Sequence, residues 1–92
     1  MAKYTWETPA EIDLALAKRI QNIRKRRKIT QLQLATRSNV SYATLKQFEQ
    51  TGKISLISLT KIAIELNLAD EIRNLFTSPA YNDISEVLRD AK

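Results

Sequence analysis

Residues that interrupt helices are almost missing from this chain. Across 92 residues there is one glycine, Gly52, and there are two prolines, Pro9 and Pro79. These two residue types are the strongest local breakers of regular backbone, so most of the chain must run on without them. No stretch alternates apolar and polar residues with the period of two that a half-buried strand needs. The chain is therefore expected to be all-α, without a sheet in its body. Hydrophobic residues make up 43% of it, enough for one compact core. A chain this short buries such a core with little to spare, which already favours self-association.

Local signals place five helices in the body. Thr8-Pro9-Ala10-Glu11 reads as a capping box with proline at the first helical position. Ile12, Leu16, Ile20 and Ile23 follow at spacings of four and three, the stripe of a helix facing a core. The basic run Arg24–Lys28 closes that helix, where cations suit the negative end of the dipole. Thr30-Gln31-Leu32-Gln33 is a second capping box and opens a short helix to about Arg37. Ser38-Asn39-Val40 breaks it. Ser41 caps a third helix to about Thr51, with Gly52 just past its end. Ser55 caps a fourth, with Leu59, Ile62, Ala63 and Leu66 inward. A fifth is expected over Ala69–Phe76, with Ile72, Leu75 and Phe76 buried. Beyond Pro79, Asp83–Arg89 has the pattern of a short helix with Ile84, Val87 and Leu88 on one side. Trp6 is expected to cap the core or a dimer contact.

The net charge is +5, and its distribution says more than its size. Between Lys18 and Lys61 eleven basic residues stand against a single acid, Glu49. The flanks on either side are mildly acidic. A basic centre between acidic ends suits a polyanion-binding surface, although charge alone also describes a merely solvated face. The chain has neither cysteine nor histidine. Disulfides, thiolate metal sites and nucleophile–histidine pairs are excluded with them, and neither a catalytic residue nor a metal nor a cofactor is expected. An enzyme would have to rest on scattered carboxylates, and Asp70-Glu71 and Asp83/Glu86 read instead as acids at helix starts. Single-strand RNA binding lacks its stacking aromatics. No apolar run reaches transmembrane length and the first residues lack a signal-peptide core, so a soluble, cytoplasmic protein without membrane contact is expected.

Two short helices joined by a tight turn form the unit Gln31–Phe48. Leu34 and small Ala35 sit on the first, where the second must cross closely. Asn39 falls where the turn needs positive φ, and asparagine tolerates that conformation best after glycine. Val40 plugs the turn into the core, and Leu45 with Phe48 buries the inner face of the second helix. Tyr42, Ala43, Lys46 and Gln47 remain on the outer face.

From Arg19 to Leu68 this pattern resembles the XRE family of helix-turn-helix regulators, the group of the lambdoid phage repressors and Cro. The resemblance is carried by Ile20, Ile23, Arg24, Thr30, Gln31, Leu34, Ala35, Asn39, Val40, Ser41, Leu45, Phe48, Glu49, Gly52, Leu59, Ile62, Ala63 and Leu66. Asn39 departs from the usual glycine. The resemblance implies a five-helix, lambda-repressor-like domain over residues 1–76, its core at 19–68, with a C-terminal extension at 77–92 for a dimer or partner contact. It implies a homodimeric, sequence-specific repressor on double-stranded operator DNA of two-fold symmetry, bacterial and nucleoid-associated. Gln31 would anchor to a phosphate at a helix N-terminus. Tyr42, Ala43, Lys46 and Gln47 would read bases in the major groove, with a phosphate as the alternative contact for Tyr42. Gln47 suits adenine, Lys46 guanine and Ala43 a thymine methyl. Ser41, Thr44 and Lys53 would contact phosphates. Arg24 and Glu49 would form a structural ion pair between the first and third helices. The stretch from Leu66 to Leu88, with Ser78-Pro79-Ala80-Tyr81 within it, further resembles antitoxins of the HipB type. Those repress their own operon as dimers and bind HipA-like kinase toxins. A module that mainly binds and neutralises a partner protein is the alternative that this second likeness keeps open.

Overall fold

A computed structural model describes residues 6–77. Five α-helices follow one another: α1 (Pro9–Arg26), α2 (Gln31–Ser38), α3 (Tyr42–Thr51), α4 (Leu56–Glu65) and α5 (Ala69–Arg73). No strand occurs among the described residues. Tyr81 and the helix expected at 83–89 lie outside them.

Each of the first four helices starts where a capping side chain satisfies a free N–H group of the opening turn. Thr8 accepts from the Glu11 amide at 3.1 Å, and the Glu11 carboxylate accepts from the Thr8 amide at 2.9 Å. Thr30 and Gln33 repeat the arrangement at 3.0 and 2.9 Å. Ser41 and Ser55 cap α3 and α4 in the same manner.

The helices also end in a shared way. Lys28, Asn39 and Asn67 take left-handed backbone, with φ of 57, 60 and 62°. The apolar residue after each then returns its amide to a carbonyl five residues back: Ile29 to Arg24, Val40 to Ala35 and Leu68 to Ala63. This is the Schellman arrangement, and it turns the following side chain onto the core. Ile29, Val40 and Leu68 all pack there.

α1 packs chiefly on α3, α2 bridges α3 and α4, and α4 carries α5. The largest fully buried apolar side chains are Phe48, Leu34, Leu45, Ile62 and Leu66. Burying each contributes about 1.5–3 kcal/mol before chain entropy is set against it.

Three expectations about the core are corrected. The buried row of α1 runs through Ala17, Ile20 and Arg24, so it keeps Ile20 of the stripe expected, with Ile23 packed beside the core, and adds Ala17 and Arg24 to it. Ile12 is thereby turned outward and is half exposed, while Leu16 and Ile23 are only partly covered. Trp6 is 81% exposed and does not cap the core. α5 ends at Arg73 rather than Phe76, leaving Ile72 half-buried, Leu75 exposed and Phe76 91% exposed. With no side-chain cap at its start and a length of 5 residues, α5 has little to hold a further turn in place. The remaining differences are of one or two residues: α1 stops two residues short of Lys28, and α2 runs through Ser38, whose hydroxyl donates to the Leu34 carbonyl at 2.7 Å.

Candidate nucleic-acid interface

The unit Gln31–Phe48 is held by a turn and a buried polar centre. Asn39 supplies the left-handed residue between α2 and α3, and Val40 is buried behind it. Leu34 and Ala35 lie beneath α3, and Leu45 and Phe48 fix its inner face. The C-terminal end of α3 is set by Gly52, at φ 83°. A Cβ there would lie 2.7 Å from the backbone carbon of Asp13 and the nitrogen of Leu14. Gly52 therefore serves both as the left-handed end of α3 and as a point where the α1 backbone leaves no room for a side chain.

The polar centre is Glu49, whose side chain is fully buried. Arg24 grips it with two bonds, Nε to Oε2 at 2.7 Å and Nη2 to Oε1 at 2.9 Å. Its third donor, Nη1, reaches the Ile29 carbonyl at 2.8 Å. Gln31 donates to Glu49 Oε1 at 2.8 Å and Gln21 to the same oxygen at 3.2 Å. Lys18 Nζ donates to the Glu49 backbone carbonyl at 2.9 Å. Burial pushes the Glu49 carboxyl upward, but the hydrogen bonds from Arg24, Gln31 and Gln21, with the charge of Arg24, outweigh it and hold the group below the usual glutamate range. No buried side-chain nitrogen or oxygen among the described residues lacks a partner. A buried charge is tolerable only under that condition.

Gln21 and Lys18 were not anticipated as members of this centre. Their signal is the spacing of three that links Lys18, Gln21 and Arg24 on α1, polar positions set beside the buried Ala17 and Ile20. The basic middle of the chain is accordingly not all surface charge. Lys18 and Arg24 are spent on Glu49, and Arg27 donates to the Leu66 carbonyl at the end of α4 at 2.6 Å.

The outer face of α3 is open. Tyr42, Ala43, Lys46 and Gln47 are all exposed and project together from it. The Lys46 ammonium stands over the Tyr42 ring, 5.9 Å from its centroid, a cation–π contact one helical turn apart. Gln31 lies at the start of α2, half-buried, with its amide turned to Glu49. Ser41 and Thr44 are joined at the start of α3: Ser41 donates its hydroxyl to Thr44 Oγ1 at 2.8 Å and accepts from the Thr44 amide at 3.0 Å. Lys53 is exposed just past Gly52, its backbone amide bonded to Thr51. The structure thus brings Tyr42, Ala43, Lys46 and Gln47 onto one surface and sets Ser41, Thr44 and Lys53 near the two ends of α3. It gives Arg24, Glu49 and Gln31 to the interior side of the same helix.

A family model described as Helix-turn-helix matches residues 20–71. The chain belongs to the XRE-type helix-turn-helix family. That family is one of DNA-binding regulators, and the all-helical five-element fold agrees with its lambda-repressor-like domain. Among curated proteins, none matches the chain closely enough to serve as a relative. In this helix-turn-helix protein no described helix is long and apolar enough to cross a membrane. No group of acidic residues among those described is arranged to hold a metal ion.

Proposed function

We propose that this helix-turn-helix protein is a sequence-specific repressor that binds duplex operator DNA as a homodimer at the nucleoid, with residues 1–76 as the DNA-binding domain. One observation supports the reading most. α3 is braced from behind by the Glu49 centre while its outer face offers Tyr42, Ala43, Lys46 and Gln47 free of any role in the core. A rigid helix with free side chains is the form that enters a major groove.

The roles divide by chemistry. Gln47 offers the donor and acceptor pair that suits adenine, and Lys46 donates to guanine. Ala43 lies where it can meet a thymine methyl. Tyr42, through its contact with Lys46, limits where that ammonium can go. Ser41, Thr44 and Lys53 bind phosphates and fix register without reading sequence. Gln31 has a second amide hydrogen beyond the one given to Glu49, and that hydrogen would serve a phosphate at the start of α2. Repression of its own operon and partnership with a HipA-like kinase extend this reading to that of an antitoxin. The exposed Phe76, inside the stretch that resembles such antitoxins, supports a protein contact there.

Selection of bound duplexes from a random DNA pool tests the central claim. The expected product is a pair of inverted half-sites about 34 Å apart, one turn of the double helix. A pool that shows no enrichment after repeated rounds overturns it.

A further inference from the structure

Glu49 lies wholly buried behind α3, and half-buried Gln31 links it to the surface at the start of α2. An ionised carboxylate only accepts hydrogen bonds, whereas a glutamine amide has a donating end and an accepting end. Glu49 Oε1 accepts from Gln31 at 2.8 Å, from Arg24 Nη2 at 2.9 Å and from Gln21 at 3.2 Å. The carboxyl is ionised at neutral pH, since these bonds and the Arg24 charge hold it below the usual glutamate range. Were the Gln31 amide turned over, its carbonyl oxygen would face this acceptor, two partial negative charges in contact with no proton between them. The carboxylate therefore dictates that the Gln31 nitrogen points inward.

An exposed glutamine turns over freely and offers an outside group either its oxygen or its nitrogen. Here one orientation survives, and the second hydrogen on Gln31 Nε2 is left for an acceptor beyond the protein. An unpaired donor at a helix start suits an anion.

We infer that Glu49 is a positioning residue for the DNA backbone: buried behind α3, it holds the Gln31 amide nitrogen-inward, so that the remaining hydrogen is presented to a phosphate at the start of α2. This rests on the phosphate role of Gln31 in the reading above. In Glu49→Gln the buried amide has one acceptor for the two Arg24 donors, and its own nitrogen can donate to a Gln31 carbonyl, so either orientation of Gln31 finds a match. Charge alone gives the opposite sign. Removing a negative charge from a chain that binds a polyanion would by itself strengthen binding.

Fluorescence anisotropy with one duplex of fixed sequence compares the parent, Gln31→Ala, Glu49→Gln and the double variant, at a temperature where circular dichroism shows each to be helical. Gln31→Ala and Glu49→Gln should each weaken binding by roughly tenfold, the scale of one hydrogen bond to a charged group. The double variant should bind no more weakly than Gln31→Ala. Losses that multiply overturn the inference and leave the DNA reading intact, since Glu49 would then act through the packing of α3 and not through Gln31. Tighter binding by Glu49→Gln overturns it equally. Unchanged binding by Gln31→Ala overturns it together with the phosphate contact of Gln31, and a parent that binds no duplex overturns the DNA reading as well. A measurement on the parent does not depend on how the Glu49 variant folds. The Gln31 side-chain amide hydrogens, followed by NMR, should exchange with water several-fold more slowly than those of exposed Gln47, and one of the pair should shift when the duplex is added. Exchange as fast as that of Gln47, or a pair that the duplex leaves in place, overturns the inference.

Discussion

Glu49 ties the reading helix to the rest of the molecule through a charge that water never reaches. Removing its carboxylate strands the Arg24 guanidinium in a low-dielectric site, and that loss is larger than the net worth of the pair itself. Glu49→Ala should therefore lower the stability by about 3–5 kcal/mol, read as a fall in the urea midpoint. A variant that unfolds with the parent would argue against a structural role for the centre. The same carboxyl shapes the response to acid. Its folded value is lowered, so its stabilising contribution is complete above the usual glutamate range and is lost as pH falls through the folded value. In Glu49→Gln the acid limb of a stability–pH curve should flatten, because the proton uptake that drives it has been removed. Gly52 is the second residue on which geometry turns. Gly52→Ala meets both an unfavourable φ and the α1 backbone at 2.7 Å, so a loss of about 1–3 kcal/mol is expected in the same measurement. The pairing of Arg24 with Glu49 could be anticipated, since a lone acid in a basic stretch demands a partner. The donors Gln21 and Lys18 carry only the weaker signal of their spacing from Arg24, because amides and lysines on a helix face look alike whether they reach inward or outward.

At the scale of elements, α3 divides its side chains between two tasks. Gln47→Ala should leave affinity for unrelated duplexes unchanged and relax the preference at one base position by about 1–3 kcal/mol. Lys53→Ala should weaken all sequences alike and lower the salt slope by about one. Binding measured on matched and mismatched duplexes separates the two, and a uniform loss in Gln47→Ala would remove it from the reading face. Helix starts were legible almost to the residue, because Thr8, Thr30, Ser41 and Ser55 announce them chemically. Helix ends were legible only where asparagine or glycine marks the left-handed residue. Lys28 takes the same conformation without such a mark, which is why α1 was expected to run on. The buried face of α1 was legible only in part, for a related reason. Its inward row includes Ala17 and the charged Arg24, and an apolar stripe drawn through isoleucines and leucines misses both. α5 failed differently: apolar residues at Leu75 and Phe76 suggested burial, yet the helix is too short and uncapped to carry them inward.

For the molecule as a whole, the charges left after structural use decide how it meets a polyanion. Lys18, Arg24 and Arg27 are committed internally, whereas Lys25, Arg26, Lys28, Arg37, Lys46 and Lys53 are exposed. Binding to duplex DNA should weaken steeply and linearly with the logarithm of salt concentration, as counterions cease to be released. A flat salt dependence would count against phosphate contacts altogether. The separation of frame from outer face has one more consequence. Tyr42, Ala43, Lys46 and Gln47 have no share in the core, so the four positions form an address that can be rewritten while the machinery that holds it stays unchanged. A library randomised at those positions should yield mostly folded members, melting within a few degrees of the parent by the small cost typical of exposed sites. Their preferred duplexes should differ from one member to the next. New targets would then lie only a few substitutions away, a route by which copies of one domain can diverge into regulators of separate genes.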